Sequence, residues 1–425
     1  MLDVIIIGGG PAGATAAAVL ARAGKSVVVL EKERFPRFHV GESLLPYNRE
    51  IFEEIGVWDE IKAQNFMVKR GAQFTSSTGE PRARLVFAKG RFTEHPEAFQ
   101  VERAKFDYIL LRHARKCGAD VCEGSPVISH EISDDKVSVR HRNEDGTEAD
   151  LHARFLLDAT GMAGLTGTRE GIRRVYDHHR KVAVFSHFSG VKMPCCEELG
   201  DIILVLRDRA WFWMIPLSAE RVSIGLVLDL KEFQQSGKKP DALFDDIVRK
   251  TPELWSRMSA ATRETSVHVI TDYSFRMDRM VSPRLIRIGD AAGFMDPIFS
   301  SGVMLAMQTG RDGARCAIEA LEKNQTLTAS MHRYERDTRK MMGRFWDFIE
   351  RYYTRHFVDL FLQPSPFLGL TSGINAVLAG RPDLPWFVRW RLKVFFFLVW
   401  LQKRLPVVPR IPWTSGGTLR SAPNS

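Results

Sequence analysis

Three glycines near the start of the 425-residue chain are the first residues whose spacing indicates a ligand-binding turn. Gly8, Gly10 and Gly13 follow the apolar segment 4–7, which reads as a buried strand, and precede an Ala-rich helix. Such glycines let the backbone turn tightly and approach a pyrophosphate, whose charge the helix amides stabilise. Glu31, 18 positions after Gly13, can accept both hydroxyls of a ribose. The segment predicts a dinucleotide site with these contacts: Gly8, Gly10, Ala12, Gly13, Glu31 and Lys32.

Two later strand-to-glycine turns favour FAD as the dinucleotide. Gly289 and Asp290 end the apolar segment 285–288, and the Asp carboxylate can hydrogen-bond a sugar-alcohol chain. An Asp after a strand is also a common helix N-cap. Asp158 and Gly161 form a third turn of the same kind. The three turns together predict an FAD site to which all four of these residues contribute.

Composition bounds the class of protein. Hydrophobic residues at 44% and charged residues at 26% are typical of a globular protein with a large core. The net charge of +9 favours anionic partners, although a solvated basic surface explains it as well, and no nucleic-acid-binding motif is present. Five cysteines without metal-ligand spacing indicate a reducing compartment and no metal site. The first apolar run is too short for a signal peptide. We expect a cytoplasmic protein with no transmembrane segment and no nucleic-acid partner.

The rest of the chain contains further predicted strands and helices. Strands are predicted over 127–133, 136–142, 153–157, 182–188, 202–205, 211–216, 221–228 and 267–275. Helices are predicted over 101–117, 229–258, 303–323 and 330–357. A disordered tail is predicted for 414–425. This order predicts an α/β fold with an antiparallel sheet inserted before the Gly289 turn.

Three further motifs point to one family. They are Phe-Pro-Arg-Phe-His-Val-Gly-Glu-Ser at 35–43, Trp-x-Trp-x-Ile-Pro at 211–216 and Phe-x-x-Pro-x-x-Ser-x-Gly at 294–302. With the glycine turns, they make the chain resemble the flavin-dependent halogenases from residue 1 to about 350. The resemblance implies an FAD-binding Rossmann-like domain interleaved with an antiparallel β-sheet substrate domain of the aromatic-hydroxylase type, followed by a helical C-terminal region. The expected boundaries are 1–75, 101–180 and 276–345 for the FAD domain, 76–100 and 181–275 for the substrate domain, and 346–413 for the helical region.

The resemblance also assigns binding residues. It places further residues at FAD: Glu42, Ser43, Arg103, Pro297 and Gly302. The amides of Ser301 and Gly302, at the start of a helix, are expected to bind chloride or bromide beside the flavin. An ordinary Ser N-cap is the alternative interpretation. FADH2 and O2 are then expected to oxidise the halide to hypohalous acid.

Lys69 is the catalytic residue that the resemblance implies. It is expected to receive the hypohalous acid, either as an ammonium that polarises the acid or as an amine that forms a haloamine. Lysines in a Lys-Arg-Gly segment are usually surface residues, and Arg70 is a second candidate cation.

Aromatic residues are expected to wall the cavity between flavin and substrate, although two Trp at this spacing are also common in plain cores. The expected wall residues are Trp211, Trp213, Ile215, Pro216, Phe294 and Phe299. Phe299 stands where tryptophan halogenases carry a Glu. Phenols and pyrroles lose the ring proton more easily than indole, so the resemblance is to the phenol and pyrrole type, whose substrates are often bound to a carrier protein.

Alternatives remain open for the partners and the reaction. No second dinucleotide motif is visible, so a separate flavin reductase is expected to supply FADH2. An aromatic monooxygenase or an isoprenoid reductase of the same fold is the alternative enzyme, and a non-catalytic membrane-associated flavoprotein is the remote one. The basic hydrophobic segment 386–413 cannot span a bilayer, because its apolar run is too short. Packing over the substrate mouth or a subunit contact is favoured over peripheral membrane contact.

Overall fold

The computed structural model describes residues 1–271, 274–365 and 367–411. The predicted tail 414–425, and residues 412 and 413, lie outside the described residues. The chain forms two compact units, each built from three segments. Unit 1 comprises residues 1–66, 101–177 and 274–346, and unit 2 comprises 67–100, 178–271 and, apart from residue 366, 347–411.

The described chain contains strands and helices in the following order along the sequence. The strands are β1 (Leu2–Ile7), β2 (Val27–Leu30), β3 (Met67–Lys69), β4 (Gly71–Ser76), β5 (Arg82–Val86), β6 (Ala98–Gln100), β7 (Asp120–Cys122), β8 (Val127–Ile132), β9 (Val137–Arg142), β10 (Glu148–Asp158), β11 (Arg173–Val175), β12 (Lys181–Ser189), β13 (Ile202–Leu206), β14 (Trp211–Pro216), β15 (Arg221–Asp229), β16 (Thr262–Arg263), β17 (His268–Thr271), β18 (Phe275–Met277), β19 (Val281–Ser282), β20 (Leu285–Arg287) and β21 (Gly293–Phe294). The helices are α1 (Pro11–Arg22), α2 (Asn48–Ile55), α3 (Trp58–Lys62), α4 (Arg103–Lys116), α5 (Leu165–Arg169), α6 (Leu230–Gln235), α7 (Pro240–Arg249), α8 (Pro252–Met258), α9 (Gly302–Glu322), α10 (Ala329–Tyr352), α11 (Arg355–Phe361), α12 (Leu370–Leu378) and α13 (Trp386–Arg404).

A parallel sheet in the order β20-β10-β1-β2-β7 forms the centre of unit 1. Its central strands are continuous apolar runs, and residues 4–7 of β1 are at most 5% exposed. Such runs are typical of parallel sheets that are covered on both faces. The antiparallel strands β19 and β9 pair with β20 and β10. The carboxyl ends of β1, β2, β10 and β20 therefore lead into the predicted glycine turns and Glu31.

The main sheet of unit 2 runs in the order β16-β12-β15-β14-β13-β4-β5 and is antiparallel except where β4 pairs with β13. Phe212 and Met214 of β14 lie in one buried cluster with Phe244 of α7 and Leu254 of α8. Because side chains alternate along a strand, Trp211 and Trp213 lie on the opposite face. The predicted α/β class, with a second antiparallel sheet and a helical C-terminal region, is confirmed.

Several element predictions differ from the structure. The predicted helix 229–258 is three helices, because Pro240 and Pro252 each start a new one. The predicted helix 330–357 is interrupted between α10 and α11. The predicted strand 267–275 is two strands: β17 pairs with β12 in unit 2, and β18 pairs with β11 in unit 1. Strand pairing between distant segments, which local patterning does not reveal, decides the last of these cases.

The first domain boundary also differs from the expected one. Residues 67–75 were expected in the FAD domain, but they lie in unit 2. The reason is pairing, since β3 pairs with β6 and β4 pairs with β13 and β5. The remaining boundaries stay predictions.

The helical C-terminal segment packs by one face only. Val388, Leu392, Phe395 and Val399 of α13 are buried, whereas Trp386 is 72% exposed. Within the described part of the chain, no helix is both long enough and apolar enough to cross a membrane.

Gly225 and Gly343 provide a matched stability test. A Cβ at Gly225 would overlap the buried ring of Trp213, whereas a Cβ at Gly343, inside α10, would have no heavy atom within 4 Å. Gly225→Ala should destabilise the protein by about 1–3 kcal/mol through overpacking. Gly343→Ala should stabilise it by about 0.5–1 kcal/mol, because glycine is a poor helix former. Thermal denaturation of both variants checks this, and equal shifts would contradict the packing analysis.

Candidate active site

The glycines of the first turn have two different roles. Gly8 has a φ of +106°, and a Cβ there would overlap the Ala159 carbonyl, while a Cβ at Gly13 would overlap the Gly8 carbonyl. These two glycines let β1, α1 and the loop after β10 touch. A Cβ at Gly10 would meet only Arg37, with Nη2 at 3.5 Å, so this position borders open space. Gly10 lies directly before the first amides of α1, where a pyrophosphate would bind.

Glu31 lies buried at the end of β2 and is held by two backbone amides. Its Oε2 accepts a hydrogen bond from Gly9 N at 2.6 Å, and its Oε1 accepts one from Glu33 N at 2.9 Å. An ionised carboxylate can accept about four hydrogen bonds, so each oxygen retains a free lone pair. The geometry fits a ribose acceptor. Lys32, the next predicted contact, is exposed.

Both carboxylate oxygens of Asp158 accept hydrogen bonds from the protein itself. Its Oδ1 accepts from Thr160 N and Oγ1 at 3.0 and 2.6 Å, and its Oδ2 accepts from Thr166 N and Oγ1 at 2.8 and 2.6 Å. These four bonds occupy the capacity of a carboxylate. The residue stabilises the turn after β10, and a direct bond to FAD has no geometric support. Gly161 has a φ of +61° with no atom near its Cβ position, which suits a turn.

The turn after β20 brings small residues and one carboxylate together. A Cβ at Gly289 would lie 2.7 Å from the Ala12 Cβ, so this glycine lets the turn approach the start of α1. Asp290 is partly buried, and desolvation raises its pKa to about 7 while Arg103 opposes this. Among the described residues, its carboxyl group has no hydrogen-bond partner. A polyol chain would provide the missing partners, so the site fits the ribityl chain of FAD.

Arg103 fixes the loop that carries Gly41, Glu42 and Ser43. Its guanidinium forms a bidentate pair with Asp107, at 2.7 and 2.9 Å, and donates to the carbonyls of Val40 and Gly41 at 2.6 and 3.2 Å. Val101 N also donates to Glu42 O at 2.7 Å. Glu42 and Ser43 are buried in this loop. Arg103 thus positions the loop.

The start of α9 borders a small cleft that contains several predicted residues. The cleft is lined by Gly289, Asp290, Gly293, Phe294, Met295, Ser301, Gly302, Leu305, Thr309 and Met342. Asp296 caps the short turn that begins at Pro297, since its Oδ1 accepts from Ile298 N at 3.2 Å. Ser301 makes no side-chain capping bond to α9, so the N-cap alternative is not observed.

The start of α9 borders open space at Gly302. A Cβ at Gly302 would have only one atom within 4 Å, Phe294 Cε2 at 3.9 Å. The first N–H groups of a 21-residue helix carry partial positive charge and have no partner inside the helix. This arrangement fits a small anion. Phe299, in the preceding turn, is 5% exposed.

Lys69 is a buried cation in unit 2. It ends β3, is 1% exposed, and has its Nζ 5.5 Å from the centroid of the Phe87 ring. Burial lowers the pKa of Lys69 to about 7, although the Asp201 carboxylate acts to raise it. Arg70, the alternative cation, is exposed and pairs with Glu97 Oε1 at 3.1 Å. The structure therefore favours Lys69 over Arg70 as the reactive cation.

Trp211 and Trp213 pack on the face of the unit 2 sheet opposite the cluster of Phe212. Their ring centroids lie 5.9 Å apart. Trp211 Nε1 donates to Tyr353 Oη at 2.8 Å, and Trp213 Nε1 donates to Ser223 Oγ at 3.2 Å. Both indoles are thus held by packing and by a hydrogen bond. Ile215 and Pro216 continue the same buried strand.

Sequence reasoning did not find the residues that surround Lys69. Asp201 is fully buried, and its Oδ2 accepts from Arg84 Nε at 2.6 Å and from Gln73 Nε2 at 3.3 Å. Gln73 and Arg84 lie on different strands, Asp201 lies just before β13, and the three residues share no local motif. Only a contact between distant segments could have revealed them. The alternation of β4, which buries Gln73 among apolar neighbours, is the one weak signal in the sequence.

The fold and this set of residues are those of an FAD-dependent oxidoreductase. The chain matches the FAD binding domain family over residues 1–348. It belongs to the flavin-dependent halogenases, as its curated relatives show. It is 32% identical over 373 residues to a 1H-pyrrole-2-carbonyl-(peptidyl-carrier protein) chlorinase of Pseudomonas fluorescens, with 83% of each chain covered.

Two further relatives differ in their substrates. A 1H-pyrrole-2-carbonyl-(peptidyl-carrier protein) brominase of Pseudoalteromonas luteoviolacea is 31% identical, with 77% of this chain and 79% of that protein covered. A tryptophan 2-halogenase of Chondromyces crocatus is 32% identical, with 78% of this chain but 64% of that protein covered. Identity alone therefore does not separate the substrate classes.

Solved structures agree with the family. A flavoprotein/dehydrogenase from Cytophaga hutchinsonii superposes with a TM-score of 0.86 and 26% identity, covering 95% of this chain and 99% of the other. The flavin-dependent brominase Bmp2 superposes with a TM-score of 0.82 and 25% identity, covering 93% and 99%. The predicted family, FAD-dependent activity and use of halide and O2 are confirmed.

The two roles of the glycines predict different mutant behaviour. Gly10→Val should lower FAD content strongly while leaving the thermal stability of the apoprotein nearly unchanged, because its side chain enters only the pyrophosphate space. Gly13→Ala should lower apoprotein stability as well, because its Cβ meets the Gly8 carbonyl. Flavin absorbance and apoprotein melting separate the two effects. Equal loss of stability in both variants would contradict this division.

Proposed function

We propose that this halogenase acts on a pyrrole- or phenol-like ring, delivered on a carrier protein, through the amine of Lys69. The observation that carries the proposal is the burial of Lys69, which brings its pKa to about 7. A buried amine of this pKa is largely neutral just above neutrality, and a neutral amine is a nucleophile. An exposed lysine would remain protonated and unreactive.

The first half of the chemistry concerns the halide. Bound FAD, when reduced, supplies together with O2 the oxidising equivalents that convert halide into hypohalous acid. The amides of Ser301 and Gly302 hold the halide in the cleft at the start of α9, and the helix dipole favours its negative charge. Asp296 keeps the preceding turn in place through its bond to Ile298 N.

The second half takes place at Lys69. The neutral amine bonds to the halogen, the halogen–oxygen bond breaks, and the released hydroxide takes a proton from the nitrogen to form water. The aromatic carbon then takes the halogen from the nitrogen, and the ring proton returns the lysine to its amine form. Asp201 shifts the equilibrium between amine and ammonium at Lys69 towards ammonium, because a nearby carboxylate favours the charged form.

Two observations support the substrate class. Phe299 is buried. It stands where tryptophan halogenases carry a Glu, so it provides no carboxylate at this position. Pyrroles and phenols need less help with ring deprotonation, because a lone pair stabilises the cationic intermediate. Two relatives are named as a chlorinase and a brominase of a pyrrole-2-carbonyl group on a peptidyl carrier protein. A net charge of +9 would favour encounter with an acidic carrier.

A separate reductase is the proposed source of FADH2. The decisive assay combines the protein with a flavin reductase, NADH and bromide, and offers a pyrrolyl carrier protein, the free pyrrole acid, free phenols and tryptophan in parallel. Product masses should show bromination of the carrier-bound pyrrole before the free acids. Bromination of tryptophan alone would overturn the substrate proposal while leaving the halogenase family intact.

The halide site predicts a specific kinetic defect. Gly302→Val should raise the halide concentration needed for half-maximal rate by about tenfold or more, because its side chain would occupy the open space at the start of α9. FAD content should fall much less. Product masses recorded along a chloride and a bromide titration provide the measurement. A variant with normal halide dependence would rule out this anion site.

The pKa of Lys69 predicts the pH dependence of halogen transfer. As pH falls below about 7, the amine is protonated, so the ratio of halogenated product to FADH2 consumed should decrease. Asp201→Asn removes the carboxylate that raises this pKa, so the decrease should move to lower pH. Lys69→Met should abolish product while FADH2 oxidation continues. An unchanged profile in Asp201→Asn, with normal FAD content, would contradict the role of the amine.

A further inference from the structure

The outward face of α13 carries four large aromatic side chains. Trp386, Trp390, Phe397 and Trp400 are 72%, 44%, 56% and 49% exposed. Their positions, i, i+4, i+11 and i+14, fall within one narrow stripe along the helix. Each such side chain has an area on the order of 150–250 Å², so the stripe leaves a large apolar surface in contact with water.

This stripe is separate from the face that holds α13 in unit 2. Val388, Leu392, Phe395 and Val399 are buried on that inner face. The aromatic residues of the outer face are therefore not needed for the packing of the helix. Single exposed aromatic residues are ordinary, whereas four in one row indicate a binding surface.

Cations lie among the aromatic residues. Arg389, Lys393, Lys403 and Arg404 are exposed, and the sequence from 386 to 404 contains no Asp or Glu. Lys393 and Arg404 fall in the stripe itself, seven and 18 positions after Trp386. The Arg404 guanidinium stacks on Trp400, with Cζ 4.0 Å from the ring centroid. We name this surface, from Trp386 to Arg404, the α13 outer face.

A short loop beside α13 carries two further exposed apolar side chains. Phe367 and Leu368 are 56% and 44% exposed, and Leu368 has a φ of +52°. Arg391 Nε donates to the Leu368 carbonyl at 2.9 Å and so fixes this loop against α13.

We propose that the α13 outer face binds the surface of an anionic lipid bilayer. Indole and phenyl rings partition into the boundary between headgroups and acyl chains, and Lys and Arg attract anionic headgroups. The stripe is about 27 Å long, since 18 residues separate its ends at 1.5 Å each. A flat bilayer surface can contact all of it at once. The helix lies on the bilayer and does not cross it.

Two other occupants fit the observations less well. A second copy of the chain would bring two basic helices together, with no acidic residue between 386 and 404 of either helix to pair with their cations. An acidic protein would satisfy the cations. It would not by itself account for aromatic side chains along the whole length of the helix, because binding hot spots cluster at the centre of a protein interface.

Vesicle flotation with the full-length, FAD-loaded protein tests the proposal. Vesicles of phosphatidylcholine alone are compared with vesicles of phosphatidylcholine and phosphatidylglycerol at roughly two parts to one. Binding to the anionic vesicles should be at least about tenfold tighter and should weaken as salt is raised. Failure to bind the anionic vesicles would overturn the proposal.

Paired variants distinguish an effect of the α13 outer face from an effect of the protein's net charge. Lys393→Glu with Arg404→Glu should weaken binding about thirty-fold. The control, Lys136→Glu with Lys231→Glu, makes the same change of charge at exposed lysines elsewhere and should change binding less than about twofold. Trp390→Gln with Phe397→Gln should abolish flotation, whereas Trp255→Gln, at a residue 45% exposed outside α13, should not. Equal effects in the test and control pairs would overturn the proposal.

Two further measurements identify a different occupant. Light scattering without vesicles should show the same mass for the wild type and for Trp390→Gln with Phe397→Gln. A wild-type dimer that this variant dissociates would assign the face to a second copy and overturn the proposal. Binding of an acidic carrier protein that the variant loses, without any vesicle binding, would also overturn it. Melting temperature and FAD content establish that each variant is folded.

Discussion

Backbone-to-backbone contact at glycines determines the geometry of unit 1. A Cβ at Gly13 would overlap the Gly8 carbonyl, and a Cβ at Gly310 would overlap the Ala12 carbonyl. The first contact places α1 on the end of β1, and the second places α9 on the start of α1. Gly310 lies eight residues into α9, so the start of α9 is about 12 Å further along that helix axis. The two helix starts, one suited to pyrophosphate and one to halide, are therefore held at a defined spacing.

The local parts of this arrangement could be predicted from the sequence, whereas the non-local parts could not. Gly8, Gly10, Gly13 and Glu31 follow one another within one strand, one helix and the next strand, so their relation follows from chain geometry. Gly225 gave no such signal. Position 225 requires a glycine because the ring of Trp213, its register partner on the neighbouring strand, occupies the space of a Cβ. Such a requirement becomes visible only when the strand pairing is known.

Asp158 shows how the same sequence pattern can serve a structural role. Its place after a strand and before Gly161 suggested a cofactor contact, but Thr160 and Thr166 occupy its carboxylate. The hydroxyls that satisfy it come two and eight residues later, and nothing in their spacing distinguishes a turn-stabilising Asp from a ligand-binding one. Asp290, in a turn of the same type, has no such hydroxyl partners and retains the capacity to bind a polyol.

Lys69 and Arg70 are neighbouring cations in very different surroundings. Lys69 is the last residue of β3 and is buried, whereas Arg70 follows the strand and is exposed. The guanidinium stays charged under all ordinary conditions and is placed at the surface beside Glu97. The ammonium can lose its proton, because burial lowers the pKa of Lys69 to about 7, although Asp201 acts to raise it. A buried arginine at this position would remain a fixed cation and could not serve as a nucleophile. The chemistry proposed for this site therefore depends on the lysine, and not the arginine, being the buried residue.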